Sequence, residues 1–201
     1  MGDGAATQVD QGVFVPPCWR VVARPGLTAG PREHVLVITR SAAFGDGRHP
    51  TTQLCLQALA AVGRRRRVLD FGSGSGILAL AAARLGASAR GVEIDDRALA
   101  VSRENARLAG LGDTVVFDRA VDDGPYDLLL ANVVRPVLLE HAPLLVARLD
   151  PGASVVLSGL VATDVPDVTV RWSSLLGGRR PTVHARGEWR ALVWWPELSA
   201  A

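Results

Sequence analysis

Val68-Leu69-Asp70-Phe71-Gly72-Ser73-Gly74-Ser75-Gly76 runs straight into the apolar segment 77–85. A short apolar run delivers an acid to the end of a strand, three glycines follow at alternate positions, and a helix begins. Glycines at such a junction permit positive φ and let backbone N–H groups approach a ligand closely. Glu93 stands 21 positions beyond Gly72, at the end of the next apolar run (Ala89, Val92). At that spacing an acid on a second strand reaches ribose hydroxyls. Together these features predict a nucleoside cofactor. The competing reading, a strand-turn-helix whose glycines serve packing alone, predicts none.

The acid ahead of the glycines selects among such cofactors. A carboxylate at Asp70 repels the pyrophosphate of a dinucleotide, and the third glycine comes one residue earlier than in G-x-G-x-x-G. A nicotinamide oxidoreductase is therefore disfavoured. S-adenosyl-L-methionine carries no phosphate, and its amino-acid end presents an ammonium that a carboxylate attracts. The reading places Gly72, Gly74 and Gly76 under that cofactor, Asp70 toward its amino-acid end, and Glu93 as bidentate acceptor for the ribose hydroxyls. Asp95 and Asp96 read as caps of the next helix.

Composition sets the bounds. The chain has 201 residues, 48% of them hydrophobic and 21% charged, enough for one domain with a substantial core. Its 22 basic residues are all arginine, yet the net charge is only +2, so no nucleic-acid partner is expected. The run Arg64 to Arg67 reads as a solvated helix end, where cations suit the helix dipole, in preference to a nucleic-acid patch. Cys18 and Cys55 belong to no C-x-x-C or Cys/His set, which predicts free buried thiols, a reducing compartment and no metal site. Residues 1–12 are polar, with no secretory signal, and read as a disordered tail. No run reaches the ~18 apolar residues of a membrane span, so a cytoplasmic protein is expected.

Trp19 to Arg24 and His34 to Arg40 are β-rich runs around the Pro/Gly turn Pro25 to Pro31, which suggests a hairpin or paired strands. A helix follows Pro50, with Leu54, Leu56, Ala58, Leu59 and Val62 on its apolar side. Strands are expected near 67–71, 89–94, 114–118, 127–132 and 153–159, and helices near 76–85, 96–109 and 135–149. Thr163 to Leu176 is ambiguous: Val165, Val168, Trp172 and Leu175 fit helical spacing, but the Val-rich composition and Pro166 weaken it. Two terminal strands, near 181–186 and 188–195, complete the pattern. The alternation predicts an α/β fold with a mostly parallel sheet, helices on both faces, and an antiparallel strand from the final hairpin. The expected division is an N-terminal β segment over 13–42 and a cofactor-binding domain over 43–201.

Several segments, in order, resemble one family. Ala-Phe-Gly-Asp-Gly-Arg-His-Pro-Thr-Thr at 43–52, the glycine stretch with Ile-Leu-Ala after it, Gly-Val-Glu-Ile-Asp at 91–95 and Asp-Leu-Leu-Leu-Ala-Asn at 127–132 are similar to the PrmA-type ribosomal-protein methyltransferases. So are Ser-Gly-Leu at 158–160 and Gly-Glu-Trp at 187–189. The resemblance runs from about Trp19 to Trp195. It implies a single-domain class I (Rossmann-like) methyltransferase fold with a seven-stranded sheet, and S-adenosylmethionine-dependent trimethylation of amines on large-subunit ribosomal protein eleven. Members carry an N-terminal domain that docks this protein, and too few residues precede Phe44 to hold it, so a different acceptor is expected. Members usually have Thr at the position of Asp46.

At the reacting end the expected residue is Asn132, which closes a strand on the ligand-bearing carboxyl edge of the sheet. The Ala-Asn pair is similar to the Asn-Pro-Pro-Tyr element of other amine methyltransferases. An amide oxygen accepts a hydrogen bond from an attacking amine and aims its lone pair; the competing role is a strand-end turn residue. Phe44 and Gly45 are expected over the cofactor, with Thr51 or Thr52 on its carboxylate unless they only cap the helix. His49 is a candidate general base and equally a structural His before Pro50. Ile94 is expected to be cofactor-binding, and the resemblance places the adenine pocket in the loop around Asp118 to Val121. The expected function is N-methylation of an amine on a peptide, protein or small molecule. The alternatives are a natural-product O- or C-methyltransferase and a non-catalytic cofactor-binding or interaction domain.

Overall fold

The structure is a computed structural model that describes residues 12–27, 30–39 and 44–196. Residues 1–11 of the expected tail lie outside the described residues. β1 (Val13–Val15), β2 (Trp19–Val22) and β3 (His34–Val37) form a small sheet of their own. A hairpin is not what joins the two expected strands: β2 and β3 run parallel, Trp19 opposite His34, while β1 pairs antiparallel with β2. Parallel neighbours need a crossover, which the Pro/Gly-containing connection supplies.

α1 (Pro50–Val62) follows, with Pro50 in its first turn and Gly63 closing it at φ +74°. The helix thus stops before the arginine run, so those side chains do not end it as expected. Arg67 instead opens β4 (Arg67–Phe71) and stacks over the Tyr126 ring, while Arg64, Arg65 and Arg66 line a shallow groove with Asp127 and Asp150. Strand and helix then alternate through α2 (Ile77–Arg84), β5 (Ser88–Val92), α3 (Asp96–Leu108), β6 (Val115–Asp118), β7 (Tyr126–Asn132), α4 (Arg135–Val146) and β8 (Leu149–Val161). The ambiguous segment is a helix, α5 (Val165–Leu175), because Pro166 sits in its first turn, where a missing N–H costs nothing. β9 (Thr182–Arg186) and β10 (Trp189–Trp194) end the fold.

Seven strands share the main sheet in the order β6-β5-β4-β7-β8-β10-β9, parallel except for β10, which inserts antiparallel between β8 and β9. Side chains alternate between two apolar layers, as the period of a strand requires. Val68, Leu128, Leu130, Val156 and Val193 pack with α1, α2, α3 and the small sheet. Leu69, Leu129, Leu157, Leu192 and Trp194 pack under α4 and α5. β8 is longer than the expected 153–159: Leu149 pairs with Tyr126 and Ser154 with Leu128, so a bulge around Pro151 and Gly152 absorbs the extra residues. Among the described residues, no helix is long and apolar enough to cross a membrane.

Candidate active site

The carboxyl ends of β4, β5 and β7 lie side by side, on the edge where open α/β sheets bind ligands in a crevice. Gly72 to Gly76 form its floor. Gly74 has φ +53°, and a Cβ there would lie 2.8 Å from the Phe44 carbonyl; Gly76 has φ +82°, and its Cβ would meet Phe117 Cζ at 2.6 Å. Packing within the protein therefore demands glycine at both positions. The loop's N–H groups are equally committed: Gly72 and Ser73 donate to Val92 O, Gly74 to Glu93 Oε2, Ser75 to Phe44 O and Gly76 to Ser73 O. No backbone N–H of residues 72–76 is left to cradle a phosphate, which is what a dinucleotide site needs.

Asp70 lies under the loop, 1% exposed. Its Oδ2 accepts from Ala79 N of α2 at 3.0 Å, and its Oδ1 has no partner. Burial pushes its pKa up to about 7; the Ala79 bond opposes this and the nearby Glu93 adds to it. Glu93 sits just past β5, half-buried. Its Oε1 accepts from Ile94 N and Asp95 N and its Oε2 from Gly74 N, which fixes the carboxylate at the rim. Asp95, not Asp96, is the cap of α3, accepting from Arg97 N and Ala98 N. Ile94 is 76% exposed at the same rim. Asp118 closes β6 beside Glu93, whose N–H its carbonyl accepts. The Asp118 carboxylate is taken by Arg90 and by Arg119 N, and the Arg119 bond, the largest cause, lowers its pKa.

Asn132 ends β7, one strand over from Asp70. Its Nδ2 donates to Thr52 Oγ1 at 3.5 Å, and its Oδ1 is buried without a partner. Thr51 and Thr52 are both buried in the first turn of α1, but neither is the cap; His49 is, its Nδ1 2.8 Å from Thr51 Oγ1. The His49 ring stands between Phe44 and Trp189, with centroids 5.2 and 4.9 Å away. Phe44 and Gly45 reach the glycine loop through their carbonyls, held by Ser75. The expected residues thus gather around one crevice, with Asp118 at its edge and its carboxylate engaged elsewhere. Sequence reasoning missed Ser75, Gln53 and Asn105, all buried. The signal for Asn105 was present: it shares the inward face of α3 with Leu99, Ser102 and Ala106, a polar side chain on an apolar stripe.

The family model and the curated relatives name one family. The ribosomal protein L11 methyltransferase (PrmA) model matches residues 7–195. A ribosomal protein L11 methyltransferase of Geobacter sulfurreducens is 37% identical over 190 residues, covering 94% of this chain and 62% of its own length. The chain spans less than two thirds of the length of the first curated relatives it matches. Among solved structures, a ribosomal protein L11 methylase from Lactobacillus delbrueckii subsp. bulgaricus superposes with a TM-score of 0.81 at 25% identity, covering 92% of this chain and 98% of that one. An RNA methyltransferase from Salinibacter ruber, in complex with S-adenosyl-L-homocysteine, gives 0.52 at 26% identity over 66% of this chain and 82% of that one. The strand order is that of Rossmann-like methyltransferases, and with the family match across nearly the whole chain it places the protein in the ribosomal protein L11 methyltransferase (PrmA) family.

Proposed function

We propose that the chain is an S-adenosyl-L-methionine-dependent N-methyltransferase acting on an amine of a protein or peptide. One observation carries this reading: the adjacent strands β4 and β7 end in two buried oxygens without partners, Asp70 Oδ1 and Asn132 Oδ1. Buried polar atoms in native proteins are paired, so orphans at a crevice point to a ligand. A carboxylate suits an ammonium, an amide oxygen suits an amine N–H, and a loop with no free N–H suits a cofactor without phosphate.

Bound there, S-adenosylmethionine supplies a methyl group activated by its sulfonium. Asp70 attracts the cofactor's ammonium, Glu93 accepts from the ribose hydroxyls, and Ile94 offers the adenine an apolar face. Phe44 and Gly45 cover the loop, and Thr51 and Thr52 line the first turn of α1 beside it. Asn132 Oδ1 accepts from the acceptor amine and aims its lone pair, and positioning is the main demand because positive charge only moves from sulfur to nitrogen. We place His49 in an aromatic wall with Phe44 and Trp189, whose ring faces suit an alkylammonium and its methylated forms. The relatives are named for ribosomal protein L11, which makes a protein acceptor the first to test. A cytoplasmic setting, where the free thiols of Cys18 and Cys55 stay reduced, goes with this reading.

The test is incubation with methyl-labelled cofactor and recombinant L11, and separately with cell extract, followed by mass spectrometry of the label's position. Label on an amine nitrogen of a protein is expected. Calorimetry should give micromolar affinity for S-adenosyl-L-homocysteine, ~−8 kcal/mol, and none for NAD. Binding of NAD alone would overturn the cofactor, and label on oxygen or carbon would overturn the amine.

A further inference from the structure

Residues 44–49 pass over the glycine loop as a strap, with Phe44, Asp46 and Arg48 exposed and Gly45 and Gly47 buried, Gly47 against Val21. Ser75 is the hub at one end. Its N–H donates to Phe44 O at 2.9 Å and its hydroxyl to Gly45 O at 2.8 Å. The Ser75 carbonyl accepts from Asn105 Nδ2 at 2.9 Å, and Asn105 Oδ1 accepts from both the N–H and the hydroxyl of Thr39. Asn105 is wholly buried, so this link is closed to water. At the other end Gln53 Nε2, on α1, donates to Gly47 O at 3.0 Å and to Arg48 O at 3.2 Å. The fit leaves no slack: a Cβ on Gly45 would sit 2.7 Å from Ser75 Oγ.

The Ser75 hydroxyl and Gln53 Nε2 are both spent on the strap. The strap's Phe44 and Gly45 carbonyls face the cofactor loop beneath, while its Phe44 and His49 rings form the acceptor-side wall. The geometry points to Ser75 and Gln53 as positioning residues for the acceptor: they pin the strap at a fixed height above the glycine loop, with Asn105 backing Ser75. This rests on the N-methyltransferase reading. A shift of about 1 Å in such a wall costs on the order of 10²-fold in rate, because the reacting nitrogen must meet the methyl carbon in line.

Ser75→Ala and Gln53→Leu test the assignment, each removing strap bonds without adding bulk. Three readouts are taken on the full chain: calorimetric affinity for S-adenosyl-L-homocysteine, KM and kcat with L11 as acceptor probe, and amide hydrogen exchange of 44–49 without ligand. The expected result is faster exchange in the strap, acceptor KM raised about tenfold with kcat lowered as well, and S-adenosyl-L-homocysteine affinity within about threefold of the parent in both variants. Loss of cofactor affinity in step with acceptor KM, or unchanged exchange in 44–49, overturns the assignment. Failure of the parent to bind S-adenosyl-L-homocysteine sinks the functional reading instead, and the exchange measurement still decides whether these two side chains pin the strap.

Discussion

At the scale of single residues, the site keeps a carboxyl where water cannot reach it, and that has a cost with a definite pH dependence. Asp70 titrates near 7 in the folded chain against an ordinary value of 3.8, chiefly because it is buried. An acid with a raised pKa holds its proton longer in the folded state, so its contribution to stability is full below the unfolded value. That contribution is lost as pH rises through the folded one, at about 1.4 kcal/mol per pH unit within the window. Asp70→Asn removes the charge while keeping the shape. Its thermal midpoint should match the parent's near pH 4 and exceed it by a margin that grows up to about pH 8. S-adenosyl-L-homocysteine affinity at pH 8 should fall. Equal pH profiles for the two proteins would show that Asp70 does not titrate in this range. Asn132 presents the complementary case, a neutral orphan. Asn132→Ala should keep cofactor affinity while kcat drops on the order of 10²-fold, the scale for losing one positioned hydrogen-bonding group. Asn132→Asp should also be slow, because a carboxylate holds the amine as ammonium. Parent turnover in Asn132→Ala would reduce Asn132 to a strand-end turn residue.

At the scale of elements, the loop after β4 and the rim after β5 act as one piece because Glu93 joins them. Its carboxylate takes three backbone N–H groups, one from the loop and two from the start of α3. Under the proposed function it also meets ribose hydroxyls. Glu93→Ala should therefore weaken S-adenosyl-L-homocysteine binding by about tenfold to a hundredfold, the worth of one hydrogen bond to a charged group at ~1.5–3 kcal/mol. Calorimetry giving the parent affinity would remove Glu93 from the cofactor site. This junction was legible in the sequence because local rules write it: a strand end, glycines at alternate positions, and an acid one strand later. The pairing of β2 with β3 was not. Two short β-rich runs around a Pro/Gly connection satisfy a hairpin and a parallel pair alike, and no local rule in the sequence selects the parallel pair that forms. The strap bonds were hidden for the same reason. Ser75, Gln53 and Asn105 are separated by tens of residues, and their spacing in sequence carries no period that could announce a shared carbonyl row.

At the scale of the whole molecule, the open question is whether the N-terminal sheet is a unit of its own, as a boundary near residue 42 implies, or part of one cooperative fold. The packing argues for the second. Val15, Trp19, Val21, Leu36 and Ile38 share a continuous apolar layer with Leu56 of α1, Val68 of β4 and Ile77 of α2. Trp19 is the keystone, fully buried, with Nε1 donating to Leu56 O at 2.8 Å. Removing it opens a cavity that both the small sheet and α1 line, at a cost of about 3–5 kcal/mol. In a chain of 201 residues that lowers Tm by roughly 6–20 °C, at ~2–4 °C per kcal/mol. Trp19→Phe keeps a six-membered ring but loses the hydrogen bond and part of the packing, so it should cost about 2 kcal/mol, less than Trp19→Ala. If the layer is shared, scanning calorimetry should give a single transition in the parent and in both variants. Near-UV circular dichroism, which reports Trp172 and Trp194 under the opposite face of the main sheet, should move with it. A second, lower transition in Trp19→Ala, with the main-sheet signal melting at the parent temperature, would mean that the small sheet unfolds alone. In that case residues 44–49 would be anchored by Ser75, Gln53 and α1 rather than by the N-terminal sheet, and the acceptor wall would survive the unfolding of that sheet.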